Sequence, residues 1–348
     1  MSSPVRNLLK FVLFLGLGIL LIWLAVHHLD QAQRKQIDQT FRIADYRVLI
    51  PALVAGAASH LVRSLRWRLL LRPLDFNPSL FNIFCAVMTG YLANLALPRL
   101  GEITRCAVVA RYEKIPVTKV IGTMIAERSV DLISLALVVT ATILLQLGLV
   151  GNFFYRDILQ GPKWEVLSGW KFPVVLGVSL LILFFLLRWG FSRLRHTMAW
   201  VRFRLLVIEV LDGLDSLRRM RHKTWFLIYT VLLWMLYFLM VYIGFFCLKT
   251  TSHLGIGAAL SVLAFGSIGM ILTQGGIGAY QLLVQRTLTL YGVGVGIAYA
   301  LGWIIWLAQT LLVVVLGFIS LVLLPIINRP AHGQTPAHSL EDPLSGRP

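Results

Sequence analysis

Nine ionisable side chains interrupt apolar sequence in three places: Arg63, Arg66 and Arg68; Arg99, Glu102 and Arg105; and Glu127, Arg128 and Asp131. A lone charge at the centre of a bilayer costs about 2.5–3.5 kcal/mol or more, so such residues are expected to face one another or a polar cavity. Arg99, Glu102 and Arg105 recur every three residues and would share one face of a short helix, and Glu127 and Asp131, four apart, share a face of another. Arginine suits an oxyanion because its planar fork donates two hydrogen bonds at once. In this reading Glu102, Glu127 and Asp131 balance Arg99, Arg105 and Arg128. Arg63 and Arg66 then stand free for a phosphate, and Arg99 and Arg105 are the further arginines expected to contact it. The carboxylates hold the arginines in place and could exchange protons. The alternative for the cluster is a structural ion-pair network, and for Arg68 and Arg72 a cationic anchor that reaches to the interface.

A second chemical element is backbone. A half-helix opening at Gly275-Gly276-Ile277-Gly278 would present unpaired N–H groups and the positive end of its dipole, which is an anion site. Asn94, Tyr280, Gln281 and Gln309 are the polar side chains expected to line a cavity beside it, or else to make interhelical hydrogen bonds. His27, His28 and His60 lack companions at metal-ligand spacing. The three cysteines, Cys85, Cys106 and Cys247, lie in or beside apolar segments and read as packing residues. No metal, cofactor or catalytic residue is expected.

The elements that must position these residues are set by composition. The chain has 348 residues, 58% hydrophobic and 14% charged, with a mean hydropathy of +0.79. Soluble domains run at roughly 45–50% apolar with about a quarter charged, so a conventional soluble enzyme is excluded. The formal charge of +17 does not indicate nucleic acid, because the basic residues gather at the ends of apolar blocks, where orientation signals and lipid headgroup contacts sit. Six full spans are expected at about 11–26, 48–71, 117–147, 172–189, 225–248 and 295–326. The first is read as an uncleaved span, since it is long for a signal core and has no clean cleavage site. The aromatic-rich fifth span is read as lipid-facing.

Orientation follows from loop charge. Residues 188–223 carry nine Lys/Arg and are cytoplasmic by the positive-inside rule. Within them, residues of about 190–223 read as an amphipathic segment on the membrane surface. Counting back, 63–72 and 111–119 fall inside, while 30–47 is an outside loop whose four basic residues are nearly balanced by Asp30, Asp38 and Asp45. Both termini are then cytoplasmic. Residues 328–348, rich in Pro, Gly, His and Ser, read as a disordered tail.

Two further apolar stretches, 80–110 and 256–291, are each broken in the middle and match at an offset of 176 residues. Gly90 pairs with Gly266, Pro98 with Gln274 and Pro116 with Gly292, and each break is followed by a short apolar piece and a long helix. Residue identity is thin; the shared feature is the pattern of breaks. Three crossings between them invert the second unit (256–326) relative to the first (80–147). The halves, roughly 18 and 11 residues, fall short of the about 20 needed to span. Each stretch therefore reads as a re-entrant helical hairpin, and paired inverted hairpins point to a transport site near the midplane. Close packing of glycine-rich membrane helices is the other account. The expected fold is an all-α polytopic membrane protein, residues 1–327, of about six spans and two hairpins.

The Arg63-x-x-Arg66-Trp67 run, the stretch Asn94…Pro98-Arg99-Leu-Gly101-Glu102-Ile-Thr-Arg105, the Glu127-Arg128-x-x-Asp131 motif and the Gly275-Gly276-Ile277-Gly278 turn together resemble the lysylphosphatidylglycerol synthase transmembrane domain family, also called flippase-like, over about residues 8–325. The resemblance implies a multi-pass protein of the bacterial inner membrane that moves a lipid between leaflets. In two-domain relatives a cytoplasmic aminoacyl-transferase domain makes the lipid; the sequence after the last span is short, so synthase activity is not expected. Many relatives carry a Glu just after the glycine turn where this chain has Ala279-Tyr280-Gln281, which bears on the cargo. The expected function is transport of an anionic or zwitterionic phospholipid, or of an isoprenoid-linked headgroup, with that lipid as partner. The alternatives are a transferase acting on a polyprenyl phosphate, for which no nucleotide, metal or catalytic loop is seen, and a non-transporting membrane partner. A homo-oligomer is compatible with all three.

Overall fold

The computed structural model describes residues 16, 19–20, 22–23, 27, 30–96, 100–146, 220 and 222–328. Most of the expected first span, the fourth span, nearly all of the amphipathic segment, Pro98, Arg99 and residues 329–348 lie outside the described residues.

Among the described residues there are nine α-helices and no strand: α1 Gln31–Ile43, α2 Leu49–Leu71, α3 Leu80–Ala96, α4 Leu100–Glu113, α5 Val117–Leu145, α6 Lys223–Gly244, α7 Ile256–Leu272, α8 Ala279–Leu290 and α9 Val295–Ile327. Four of them, α2, α5, α6 and α9, are long and apolar enough to cross a membrane. Their outward faces carry large apolar side chains, among them Ile50 and Val54 on α2, Leu132 and Leu137 on α5, and Leu311 and Phe318 on α9, all more than a third exposed. Water would not leave such faces bare; hydrocarbon does.

Helix α1 lies within the stretch expected to be an outside loop. Its start is an N-terminal capping box: the Asp30 carboxylate accepts from the Gln33 backbone N–H at 2.7 Å, and the Gln33 side chain accepts from the Asp30 N–H at 3.2 Å. That pair satisfies two of the donors that a helix start otherwise leaves open. Its flank is held by α9, where a Cβ on Gly296 would lie 2.7 Å from the Gln33 carbonyl.

The two broken stretches fold as helix pairs. Helices α3 and α4 run antiparallel and touch through backbone at Gly90 and Gly101: a Cβ on Gly101 would collide with the Gly90 carbonyl, and one on Gly90 would lie 2.8 Å from the Gly101 carbonyl. Helices α7 and α8 pair the same way. Tyr280 of α8 lies across Gly266 and Gly269 of α7, so that a Cβ on either would come within 2.8 Å of it. Gly90 and Gly266, matched by the repeat, thus both sit at the crossing of their own pair. The observed halves are 17 and 14 residues in the first pair and 17 and 12 in the second, at most about 26 Å each at 1.5 Å per residue.

The second break is built from glycine. Gly275, Gly276 and Gly278 have φ of 60°, 78° and 79°, left-handed values that glycine adopts without steric cost. The two breaks meet: the Gln274 side-chain amide donates to the Leu95 carbonyl near the end of α3 at 3.0 Å. Helix α9 seals both pairs, packing Gly317 against Met88 and Leu92 of α3 and Gly302 against Gln281 and Val284 of α8, while the Trp306 indole donates to the Gly275 carbonyl at 2.7 Å. The buried apolar side chains form two groups, one around each helix pair. The ionisable cluster adjoins the first.

Candidate functional site

Helix periodicity brings the charges together. Arg63 and Arg66 stand on one side of α2, Glu127 and Asp131 on one side of α5, and Arg105 projects from α4. Arg63 donates through Nη1 to Glu127 Oε1 and Asp131 Oδ2, both at 3.0 Å, and through Nη2 to the Tyr237 hydroxyl at 3.1 Å. Arg66 donates through Nη2 to Asp131 Oδ1 at 2.6 Å and Glu127 Oε1 at 3.2 Å, and through Nη1 to the Thr230 hydroxyl at 3.5 Å. Arg105 Nη1 lies 2.9 Å from Glu127 Oε2, an ion pair by distance without the alignment of a hydrogen bond. The side chains of Arg66 and Glu127 are 0% exposed, Arg63 6%, Arg105 3% and Asp131 15%.

This pairing departs from the expected one in a specific way. Arg63 and Arg66, expected to stand free for an anion, hold the two carboxylates Glu127 and Asp131. Arg105 does reach a carboxylate, and Arg128 pairs with Glu102 at 3.1 Å, a contact about one-third exposed. The sequence spacing could not distinguish these partners, because it says which residues share a helix face but not which helices meet.

Depth along the helices can be worked out from the rise of 1.5 Å per residue. Arg63 and Arg66 lie about 8–12 Å from the end of α2, and Glu127 about 15 Å into α5, in helices about 35 and 44 Å long. The cluster is therefore inside the helical layer rather than at its rim.

Several cluster members carry no charge. Arg105 stacks its guanidinium 4.7 Å from the Trp67 ring centre, Arg66 lies 5.7 Å from Phe226 and Arg63 5.9 Å from Tyr91. Such cation–π contacts supply about 0.5–2 kcal/mol each and shield the cations from hydrocarbon. The Trp67 indole donates to the Thr123 hydroxyl at 3.1 Å, fixing α2 against α5. Phe226, Thr230 and Tyr237 belong to the span read as lipid-facing; that holds for Trp225, Leu227 and Ile228, which are exposed, but its other face serves the arginines. The helical spacing of Phe226, Thr230, Leu233 and Tyr237 is the signal that would have found it.

The remaining expected residues divide. Asn94 accepts from the Gly101 backbone N–H at 2.8 Å and so ties α3 to the start of α4. Three N–H groups of the glycine turn are spent internally: Gly276 donates to the Thr273 carbonyl at 3.2 Å, Ile277 to the Gln274 carbonyl at 3.2 Å and Gly278 to the Gln281 side chain at 2.8 Å. These three are not the free donors expected of the turn. Tyr280 and Gln281 are buried, with the Tyr280 hydroxyl and Gln281 Nε2 unpartnered. Gln309 lines a small cavity with apolar residues of α2, α6 and α9, including Leu53 and Met240, with room for about one water molecule.

A fold that is all-helical among the described residues, with four helices long and apolar enough to cross a membrane and with arginines and carboxylates buried between them, defines a multi-pass membrane protein. The model of the lysylphosphatidylglycerol synthase TM region matches residues 7–317, and the chain belongs to that family. Comparison with curated proteins and with solved structures found no match in either case.

Proposed function

We propose that this protein moves the polar head of a lipid, a phospholipid or an isoprenoid-linked phosphate, between the leaflets of the bacterial inner membrane, and that it does so as a transporter and not as an enzyme. The observation that carries the proposal is the buried ion network of Arg63, Arg66, Arg105, Glu127 and Asp131. A protein whose only need was stability would gain as much from apolar side chains of similar size, since the desolvation of buried ions offsets most of their attraction.

In this reading α3–α4 and α7–α8 are re-entrant hairpins inserted from opposite sides. The basic ends of α2, α4, α5 and α6, with Arg68, Arg72, Arg111, Lys119 and Lys223, face the cytoplasm together with both termini. The network is sealed in this conformation, so passage requires an opening. The hairpin tips, joined by Gln274 to Leu95, with the second tip tied to α9 by Trp306 to Gly275, are where opening would start: each of these two neutral hydrogen bonds contributes about 0.5–1.5 kcal/mol. The acyl tails would remain in lipid while the head exchanges its water for the guanidiniums.

The test is exchange of labelled phospholipid between leaflets of vesicles containing the purified full chain. Wild-type protein is expected to accelerate exchange well above protein-free vesicles, and Asp131→Asn, which removes a carboxylate from both Arg63 and Arg66, to abolish the acceleration. Exchange no faster than in empty vesicles for any lipid offered would refute the proposal.

A further inference from the structure

We infer that the site takes a ligand with a single uncompensated negative charge, a phosphodiester without an amine, and that Arg105 is the guanidinium that binds it. The inference rests on the transport reading only for its source, a lipid headgroup; the charge and the residue come from the network itself.

The first observation is the charge balance. Arg63 and Arg66 share Glu127 and Asp131, a neutral quartet. Glu102 and Arg128 form a separate neutral pair nearer the surface. Arg105 is left over: it approaches only Glu127, a carboxylate already shared by two guanidiniums. These four arginines and three carboxylates carry a net charge of +1 among the described residues. Buried ions require partners, and one monoanion completes this set where a dianion or a zwitterion does not.

The second observation is which donors are unused. Arg63 and Arg66 have both terminal nitrogens engaged and retain only Nε. Arg105 has neither Nε nor Nη2 engaged, and both atoms are buried. Those two nitrogens lie along one edge of the guanidinium, the edge that grips two oxygens of one oxyanion. The plane is already fixed by Trp67 beneath it at 4.7 Å, so little orientational freedom remains to be lost on binding. Arg63 and Arg66 position the carboxylates; Arg105 meets the ligand.

The experiment has a binding arm and an exchange arm, both with the full chain. In detergent, retention of phosphatidylglycerol, phosphatidylethanolamine and phosphatidic acid is measured, with tail-less glycerophosphoglycerol as a competitor. Because the ammonium of phosphatidylethanolamine cancels the charge that would offset the surplus guanidinium, phosphatidylglycerol should bind about tenfold tighter than phosphatidylethanolamine, and Arg105→Gln should reduce that ratio to about two or less. Arg105→Lys keeps the charge and should keep the ranking. If Arg105→Gln fails to fold, the wild-type ranking and Arg105→Lys still decide. A wild type that prefers the zwitterion or the dianion, or an Arg105→Gln that keeps the preference, overturns the inference. Competition by the tail-less diester as strong as by the lipid overturns the lipid source in favour of a soluble oxyanion. In vesicles, absence of exchange with the binding ranking intact refutes transport and leaves the Arg105 assignment standing.

Discussion

Replacing Glu127 by glutamine separates a coupled network from a set of independent contacts. Glu127 is fully buried and meets three guanidiniums, Arg63 at 3.0 Å, Arg66 at 3.2 Å and Arg105 at 2.9 Å. Glutamine keeps the shape and one acceptor but removes the charge, raising the net charge of the described cluster from +1 to +2. Two unit charges 4 Å apart interact by about 4 kcal/mol at an effective dielectric constant near 20, and breaking a buried pair by neutralising one partner costs about 3–5 kcal/mol. We expect a loss of that size. Glu102→Gln, whose pair is about one-third exposed, should cost about 0–1 kcal/mol. Adding Arg105→Gln to Glu127→Gln returns the cluster to +1, so the double variant should lose less than the sum of the singles by about 1–3 kcal/mol. Unfolding in mixed micelles, followed by tryptophan fluorescence, reads the wild type and all four variants. A cost for Glu127→Gln below about 1 kcal/mol, or additive singles, would refute the account of a shared buried network.

Two structural predictions concern the hairpins. Gly101→Ala places a methyl group against the Gly90 carbonyl and the Asn94 amide and should destabilise by about 1–3 kcal/mol, as overpacking at a rigid contact does; wild-type stability in the same micelle assay would remove the claim that the first pair crosses through backbone. Trp306→Phe keeps an aromatic ring but deletes the donor to the Gly275 carbonyl. It should cost about 1 kcal/mol of stability and raise the lipid exchange rate, since it loosens the joint that must open; an unchanged or lower rate would place the opening elsewhere.

Much of the architecture was legible in one dimension, and particular residues show why. The long helices α2, α5, α6 and α9 end within a few residues of the bounds expected from hydropathy, because a run of apolar residues long enough to cross hydrocarbon has few other stable forms. The paired breaks were visible as well, and Gly90 and Gly266 do occupy equivalent crossings. Helix α1 falls in a segment whose charges alone read as a loop, although its capping box, Asp30 with Gln33, is a helix-start signal in the sequence. The lipid-facing assignment of α6 was half right, since a helix has two faces and an aromatic-rich composition does not say which one Tyr237 and Phe226 occupy.

The sequence by itself determined that these charges lie in apolar surroundings and that they must therefore be partnered, a consequence of dielectric cost that needs no coordinates. Which partners they take was decided only by tertiary structure. The packing of α2 against α5 delivers Glu127 and Asp131 to Arg63 and Arg66 and leaves two buried nitrogens of Arg105 without partners over Trp67. Three donors expected to be free at the glycine turn are taken for the same reason: the Gln281 side chain and the local carbonyls fold back on the N–H groups of Gly276, Ile277 and Gly278. Periodicity fixes a side chain's direction about its own helix axis. The angle and register at which two helices meet depend on the shapes of many side chains together, and small residues such as Gly101 and Gly302 set them at close range.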